Sequence, residues 1–226
     1  MDTNAIPGHG RDRILHVIVL MMENRSFDHL LGFLRPDDPA YPGAVGHDCP
    51  TDPENPGHDL VHTSPDASEV LGVDPDHSHE AVMFQMFGRR NPPNYDNPSM
   101  TGFVRSYADQ IGDTNPAPQE PRDVMRCFST SNAPVISQLA KNFAVLSNWR
   151  ASVPGETWPN RNYAHAATSD GTANIRARFY GNRTVFQVLA DEETDGNPAG
   201  ASTTTGLPRC GHSGSCGRGG ATDSTA

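Results

Sequence analysis

Clusters of positive charge are missing from this chain of 226 residues: 17 Lys and Arg are scattered against 27 Asp and Glu, for a formal net charge of -10. Attraction to a nucleic-acid backbone is built from gathered cationic side chains that release counterions, so a nucleic-acid partner is excluded. Long apolar runs are missing too. The longest, Val17 to Met22, is strand length and falls short of the ~20 residues that a membrane span requires, so no transmembrane segment is expected. Residues 1–13 carry Asp2, His9, Arg11, Asp12 and Arg13 with no apolar h-region. They read as an N-terminal arm without a secretion signal, which makes a cytoplasmic address the default expectation. Cysteine is scarce: Cys49, Cys127, Cys210 and Cys216 do not spell a disulfide framework and are expected as free thiols. Cys210, His212 and Cys216 would supply three ligands of a zinc module, but the fourth is missing.

What is present is a globular composition, 35% hydrophobic and 19% charged, with 21 glycines and 20 prolines that imply many loops. His16-Val17-Ile18-Val19-Leu20 is a continuous, β-branched run, expected as a parallel strand covered on both faces. The period then changes. Phe27, Leu30, Leu31 and Leu34 make one apolar stripe of a helix, with Ser26 as its cap and Pro36 as its stop. The turn between strand and helix holds Glu23 and Asn24.

From Arg35 to Asp76 no period is visible, which reads as a long surface excursion forming part of a substrate-facing rim. A helix is expected over His77 to Phe87 with Asp76 as its cap, followed by irregular stretches at 88–100 and 112–123. Pro134 opens another helix, Phe143 to Leu146 is a short buried strand candidate, and a helix is expected over Pro159 to Thr168. Thr184-Val185-Phe186-Gln187 is a capping box. Residues 196–226 are mostly Gly, Ser, Thr, Ala and Pro, too poor in apolar surface to order themselves, and are expected to be disordered. A shifted reading frame is the simplest cause of so abrupt a change in composition.

Two segments offer chemistry. Thr157, in Thr157-Trp158-Pro159-Asn160-Arg161, places a hydroxyl just ahead of a helix start. Backbone N–H groups and the positive end of the helix dipole favour both an alkoxide and a bound phosphate there. Glu23 and Asn24 offer hard oxygen ligands at the end of a parallel strand, where α/β sheets collect their ligands. Arg161 could contact phosphate, and His77 could donate a proton to a leaving alkoxide. Together they outline a phosphoryl-transfer site. On spacing alone the structural readings stay open: Thr157 as a helix cap, Glu23-Asn24 as a turn, Arg161 as an ion-pair residue and His77 as a polar residue beside a cap.

Glu23-Asn24-Arg25-Ser26-Phe27-Asp28-His29-Leu30-Leu31-Gly32 resembles the signature that opens the phosphoesterase family of bacterial and plant non-specific phospholipases C and acid phosphatase A type enzymes. Thr157-Trp158-Pro159-Asn160-Arg161 is similar to the same family's TxPNR motif, about 130 residues further on and in the family order. The likeness extends over about residues 14–190, including Asp74-Pro75-Asp76-His77 and Phe143-Ala144-Val145.

The resemblance implies an α/β fold of the alkaline-phosphatase-like kind, a mixed, mostly parallel sheet with helices on both faces, of which this chain is the N-terminal portion. The domain organisation expected is an arm over 1–13, the N-terminal part of a phosphoesterase domain over 14–195, and an out-of-frame tail over 196–226. The implied activity is metal-assisted hydrolysis of a phospholipid or phosphomonoester, with peripheral contact to lipid. Glu23 and Asn24 are implied as ligands of a divalent metal ion of unassigned identity, and Thr157 as the nucleophile that becomes transiently phosphorylated. His77 is implied near the substrate phosphate. Asn160 and Arg161 are implied either to bind substrate or to fix the loop. Family members are often secreted, and they are longer: their second half supplies an Asp-rich motif that completes the metal site. Here Asp191, Asp195 and Asp223 are not adjacent to one another. The alternative is therefore a catalytically inactive remnant, truncated after about residue 190.

Overall fold

The computed structural model describes residues 16–22, 25–112 and 119–194. The N-terminal arm, Glu23 and Asn24, and the 196–226 tail with Cys210, His212 and Cys216 lie outside the described residues.

Ser26 caps the first helix, α1 (Phe27–Leu31), as its position ahead of the apolar stripe predicts: its hydroxyl accepts the His29 N–H at 3.1 Å. The helix ends earlier than Leu34, yet Leu31 and Leu34 are both buried, because a turn carries Leu34 back onto the same face. There they pack with Ala140 of α4 (Pro134–Asn142), which begins on Pro134 as expected. Phe27, Leu30, Tyr41, Ile136 and Val145 complete this cluster.

The segment from Arg35 to Asp76 is less irregular than its sequence. It contains an antiparallel hairpin of β1 (Asp48–Pro50) and β2 (Leu60–His62), with Asp48 opposite His62 and Cys49 opposite Val61. Three-residue strands are too short to show an alternating period, but their inward side chains, Cys49 and Val61, are buried against Val104 and Met125.

Asp76 is not the cap of α2 (His79–Phe87). Ser78 is: its hydroxyl accepts the Ala81 N–H at 3.2 Å, while Asp76 accepts the Ser78 N–H at 2.9 Å in a turn of its own. Met86 and Phe87 lead through an irregular segment to α3 (Phe103–Gly112), a helix the sequence reading did not foresee. It buries Val104, Tyr107 and Ile111, and it lies close against α2: a Cβ on Gly102 would meet the Phe84 carbonyl oxygen at 2.1 Å. Only glycine permits that approach. The Tyr107 hydroxyl lies 2.9 Å from Val73 O and from Gln119 Oε1, which satisfies a phenol that is otherwise fully buried. A 3₁₀ turn, Pro121–Met125, covers the other side of α3.

Thr157–Ala166 forms α5 and Val185–Thr194 forms α6. The capping box ahead of α6 is present: Thr184 N–H donates to Gln187 Oε1 at 2.7 Å and Gln187 N–H to Thr184 Oγ1 at 3.3 Å. Cys49 and Cys127 are buried free thiols.

The chain thus combines helices with a small two-stranded antiparallel sheet. The two expected strands, the parallel one at 16–20 and the short buried one at 143–146, are not formed among the described residues. Residues 16–22 and 143–146 belong to no strand, and most of their apolar side chains face solvent, with Ile18 91% and Phe143 72% exposed, while Val145 packs into the cluster of Leu31, Leu34 and Ala140. A strand buried on both faces exists only where neighbours supply ladder hydrogen bonds and helices cover it, and no described segment supplies a ladder for these two. No helix among the described residues is long and apolar enough to cross a membrane.

Candidate active site

Two helix N-termini meet where the motifs predicted chemistry. Thr157 is the first residue of α5, with Glu156 as the N-cap, so the helix begins two residues before Pro159. Pro159 is fully buried inside the first turn, which suits a residue with no N–H to satisfy. The Thr157 side chain is half-buried, and its hydroxyl makes no hydrogen bond among the described residues.

Asn160 shapes the turn in front of Thr157. Its Oδ1 accepts the Val153 N–H at 3.1 Å, while its Nδ2 lies 3.0 Å from Val153 O, 3.1 Å from Glu156 O and 3.3 Å from Gly155 O. The side chain therefore folds residues 153–156 back over the helix start. Arg161, half-buried on the same helix, is itself engaged by a neighbouring group.

The other N-terminus belongs to α2. His77 stands two residues ahead of that helix, about half exposed, with its Nδ1 3.1 Å from Pro75 O and 3.9 Å from Asp74 Oδ2. His79, the first helical residue, makes the junction: its Nδ1 lies 2.6 Å from Pro154 O. A carbonyl only accepts, so Nδ1 carries a proton and donates it to Pro154 O. Gly155 sits in the join, and a Cβ there would meet Ala173 O at 2.4 Å and His79 Cα at 3.6 Å.

A third segment locks the two together. Asn174 Oδ1 accepts the His79 N–H at 2.7 Å, and Asn174 Nδ2 donates to Glu80 Oε2 at 2.9 Å. That amide holds the Glu80 carboxyl below its usual range. On the α5 side, Glu156 N–H donates to Ala173 O at 3.3 Å and the Glu156 carboxylate accepts the Ile175 N–H. Residues 167–172 reach this position through tight turns, with Ala167, Asp170 and Gly171 at positive φ and with Ser169 and Thr172 buried.

The structure brings Thr157, Asn160 and the helix behind His77 into one neighbourhood. Glu23 and Asn24 lie outside the described residues, so their relation to Thr157 does too. Their segment leads into Arg25, which lies 3.3 Å from Glu69 O and 5.6 Å from the centre of the Phe128 ring. Among the described residues no three His, Cys, Asp or Glu side chains converge as a metal site, so those residues by themselves do not form a cation cage. His79, Glu156 and Asn174 were missed from sequence. His79 and Asn174 are 95 residues apart and no local period links them.

The phosphoesterase family model matches residues 14–214, past the limit of about 190 that the motifs mark. Three plant proteins from Arabidopsis thaliana are similar. Non-specific phospholipase C6 is 38% identical over 184 residues, 79% of this chain and 33% of the relative. Non-specific phospholipase C1 is 35% identical, with 76% and 32% covered, and non-specific phospholipase C3 is 32% identical, with 84% and 37% covered. This chain spans about a third of the length of these curated relatives. A family match over most of the chain shows that the chain belongs to the phosphoesterase family.

Proposed function

We propose that this chain carries the nucleophile half of a phosphoesterase site, which hydrolyses a phosphoester of the phospholipid or phosphomonoester class through a phosphothreonine at Thr157. The observation that carries this reading is the placement of Thr157: a half-buried hydroxyl, not hydrogen-bonded among the described residues, on the first residue of a ten-residue helix. The unpaired N–H groups of that turn point at whatever anion sits before it.

In the first step Thr157 Oγ forms a bond to phosphorus as the bond from phosphorus to the leaving oxygen breaks. The hydroxyl proton leaves to solvent, and His77 gives a proton to the leaving oxygen. Water then attacks the same phosphorus, the Oγ–P bond breaks and the threonine hydroxyl is restored. Arg161 supplies positive charge toward the phosphoryl oxygens, and Asn160 acts through the shape of the loop. A divalent cation, when bound, would neutralise developing charge on those oxygens, and Glu23 and Asn24 would contribute one carboxylate and one amide oxygen to it. The relatives' printed name makes a phospholipid the first substrate to test.

The fold proposed for the complete domain is the alkaline-phosphatase-like, mostly parallel sheet, with 16–20 and 143–146 as two of its strands. The same exposed segments favour a second reading. Val17, Ile18, Leu20, Phe143 and Leu146 are each at least 66% exposed, surface that a self-sufficient domain covers, so the chain by itself would be a catalytically inactive remnant.

Purified protein assayed with p-nitrophenyl phosphate and with phosphatidylcholine vesicles, with and without added divalent cation, separates the two. Turnover that Thr157→Ala abolishes and Thr157→Ser retains supports the first. No turnover in any condition, with strong binding of a dye for exposed apolar surface, supports the remnant.

A further inference from the structure

Two contacts converge on Asn174, a residue in neither family motif. Its Oδ1 takes the first amide of α2 (His79 N–H, 2.7 Å), and its Nδ2 holds the Glu80 carboxylate (2.9 Å). Its two chain neighbours hold the cap of α5: Ala173 O accepts the Glu156 N–H at 3.3 Å, and Ile175 N–H donates to the Glu156 carboxylate. Residues 173–175 are thus a peg between two helix starts that are otherwise joined through His79 and Pro154.

We propose that Asn174 is a positioning residue, which sets the placement of the Thr157 turn relative to His77 by fastening the α5 cap to the start of α2. This inference rests on the reading of Thr157 as nucleophile. The chemical reason is register. In-line transfer needs the attacking oxygen and the proton donor fixed to within a fraction of an ångström, and a misplacement of about 1 Å costs on the order of 100-fold in rate. His77 lies ahead of α2 and Thr157 begins α5, so their separation is set where those helices are joined. The Asn174 amide meets both demands, accepting from a backbone N–H with Oδ1 and donating to a carboxylate with Nδ2.

The test uses full-length Asn174→Ala, Asn174→Asp and Asn174→Asp combined with Glu80→Gln. Asn174→Asp keeps the acceptor for the His79 amide but sets a carboxylate against Glu80. Adding Glu80→Gln restores a donor–acceptor pair with the roles exchanged. Hydrolysis of p-nitrophenyl phosphate is expected to fall at least about 10-fold in kcat for the two single variants with KM little changed, and to recover in the double variant. Backbone amide exchange is read on the same proteins. Asn174→Ala should speed exchange at Glu156 and Ile175 as well as at His79, whether or not the chain turns over substrate.

The two arms fail separately. No activity in the unsubstituted protein, with exchange at Glu156 and Ile175 still coupled to Asn174, sinks the catalytic reading and leaves the fastening in place. Loss of protection at His79 alone, with Glu156 and Ile175 unmoved, overturns the positioning role. So does an Asn174→Ala variant with unchanged kcat, or a double variant no better than Asn174→Asp.

Discussion

His79 and Pro154 are joined across 75 residues of chain by a hydrogen bond of 2.6 Å from the imidazole Nδ1 to the carbonyl oxygen. That bond sets the start of α2 against the turn that precedes Thr157, and it defines the surroundings in which any chemistry at Thr157 takes place.

Asn160→Ala removes all four polar contacts that fold residues 153–156 over the start of α5. The Val153 amide loses its acceptor, so a loss of about 1–3 kcal/mol is expected, the range for leaving a part-buried group unsatisfied. Chemical denaturation measures it. Asn160→Asp keeps the acceptor and loses the donors, and should fall between the alanine variant and the native chain.

Gly155→Ala tests the closeness of the join. The added methyl would lie 2.4 Å from Ala173 O, a backbone atom that cannot rotate away, so residues 173–175 must shift. Overpacking of this kind costs typically about 1–3 kcal/mol. Activity should fall with stability, whereas Gly57→Ala, where nothing lies within 4 Å of the new methyl, serves as the neutral comparison.

Burial pushes the Cys127 thiol up to about 11, with Asp28 adding to it. The unfolded thiol ionises first as pH rises, so the unfolded state binds fewer protons and stability falls between the ordinary value of about 8.5 and the raised one. Below that window the contribution is fully present. Native protein should resist alkylation at Cys127 at mildly alkaline pH and react at once in denaturant. Rapid labelling of the native chain would contradict this.

His29 behaves in the opposite sense. Burial lowers its pKa below 6.5, with Arg25 as the second cause, and its ring lies edge-on to Phe128 with 4.5 Å between centres. As pH falls through 6.5 the unfolded histidine takes a proton that the folded one resists, so stability drops on acidification and is fully present above that value. Urea midpoints across the acid range should fall more steeply for the native chain than for His29→Gln.

The helices were legible where a cap and an apolar stripe coincide, as at Ser26 with Phe27 and Leu31, and at Thr184 with Gln187. α3 was hidden because Arg105, Ser106, Asp109 and Gln110 separate its apolar residues and Gly102 reads as a breaker. The β1–β2 hairpin was hidden because short strands show no period. The strands expected at 16–20 and 143–146 are not formed among the described residues for another reason: a continuous apolar run states that a segment is to be buried, and says nothing of whether the partner is within the same stretch of chain. At the candidate site, Thr157 and Asn160 were found by their motif, while His79 and Asn174 come together only in the folded chain.

The phosphoenzyme is the most direct test. Protein mixed with p-nitrophenyl phosphate, quenched in acid within the first turnover and digested with trypsin, is examined by mass spectrometry for the peptide between Arg150 and Arg161. The account predicts the mass of one added phosphoryl group on that peptide, located to Thr157 and lost in Thr157→Ala. Substrate turnover with that peptide unmodified, or a phosphoryl group on any other residue, would contradict it.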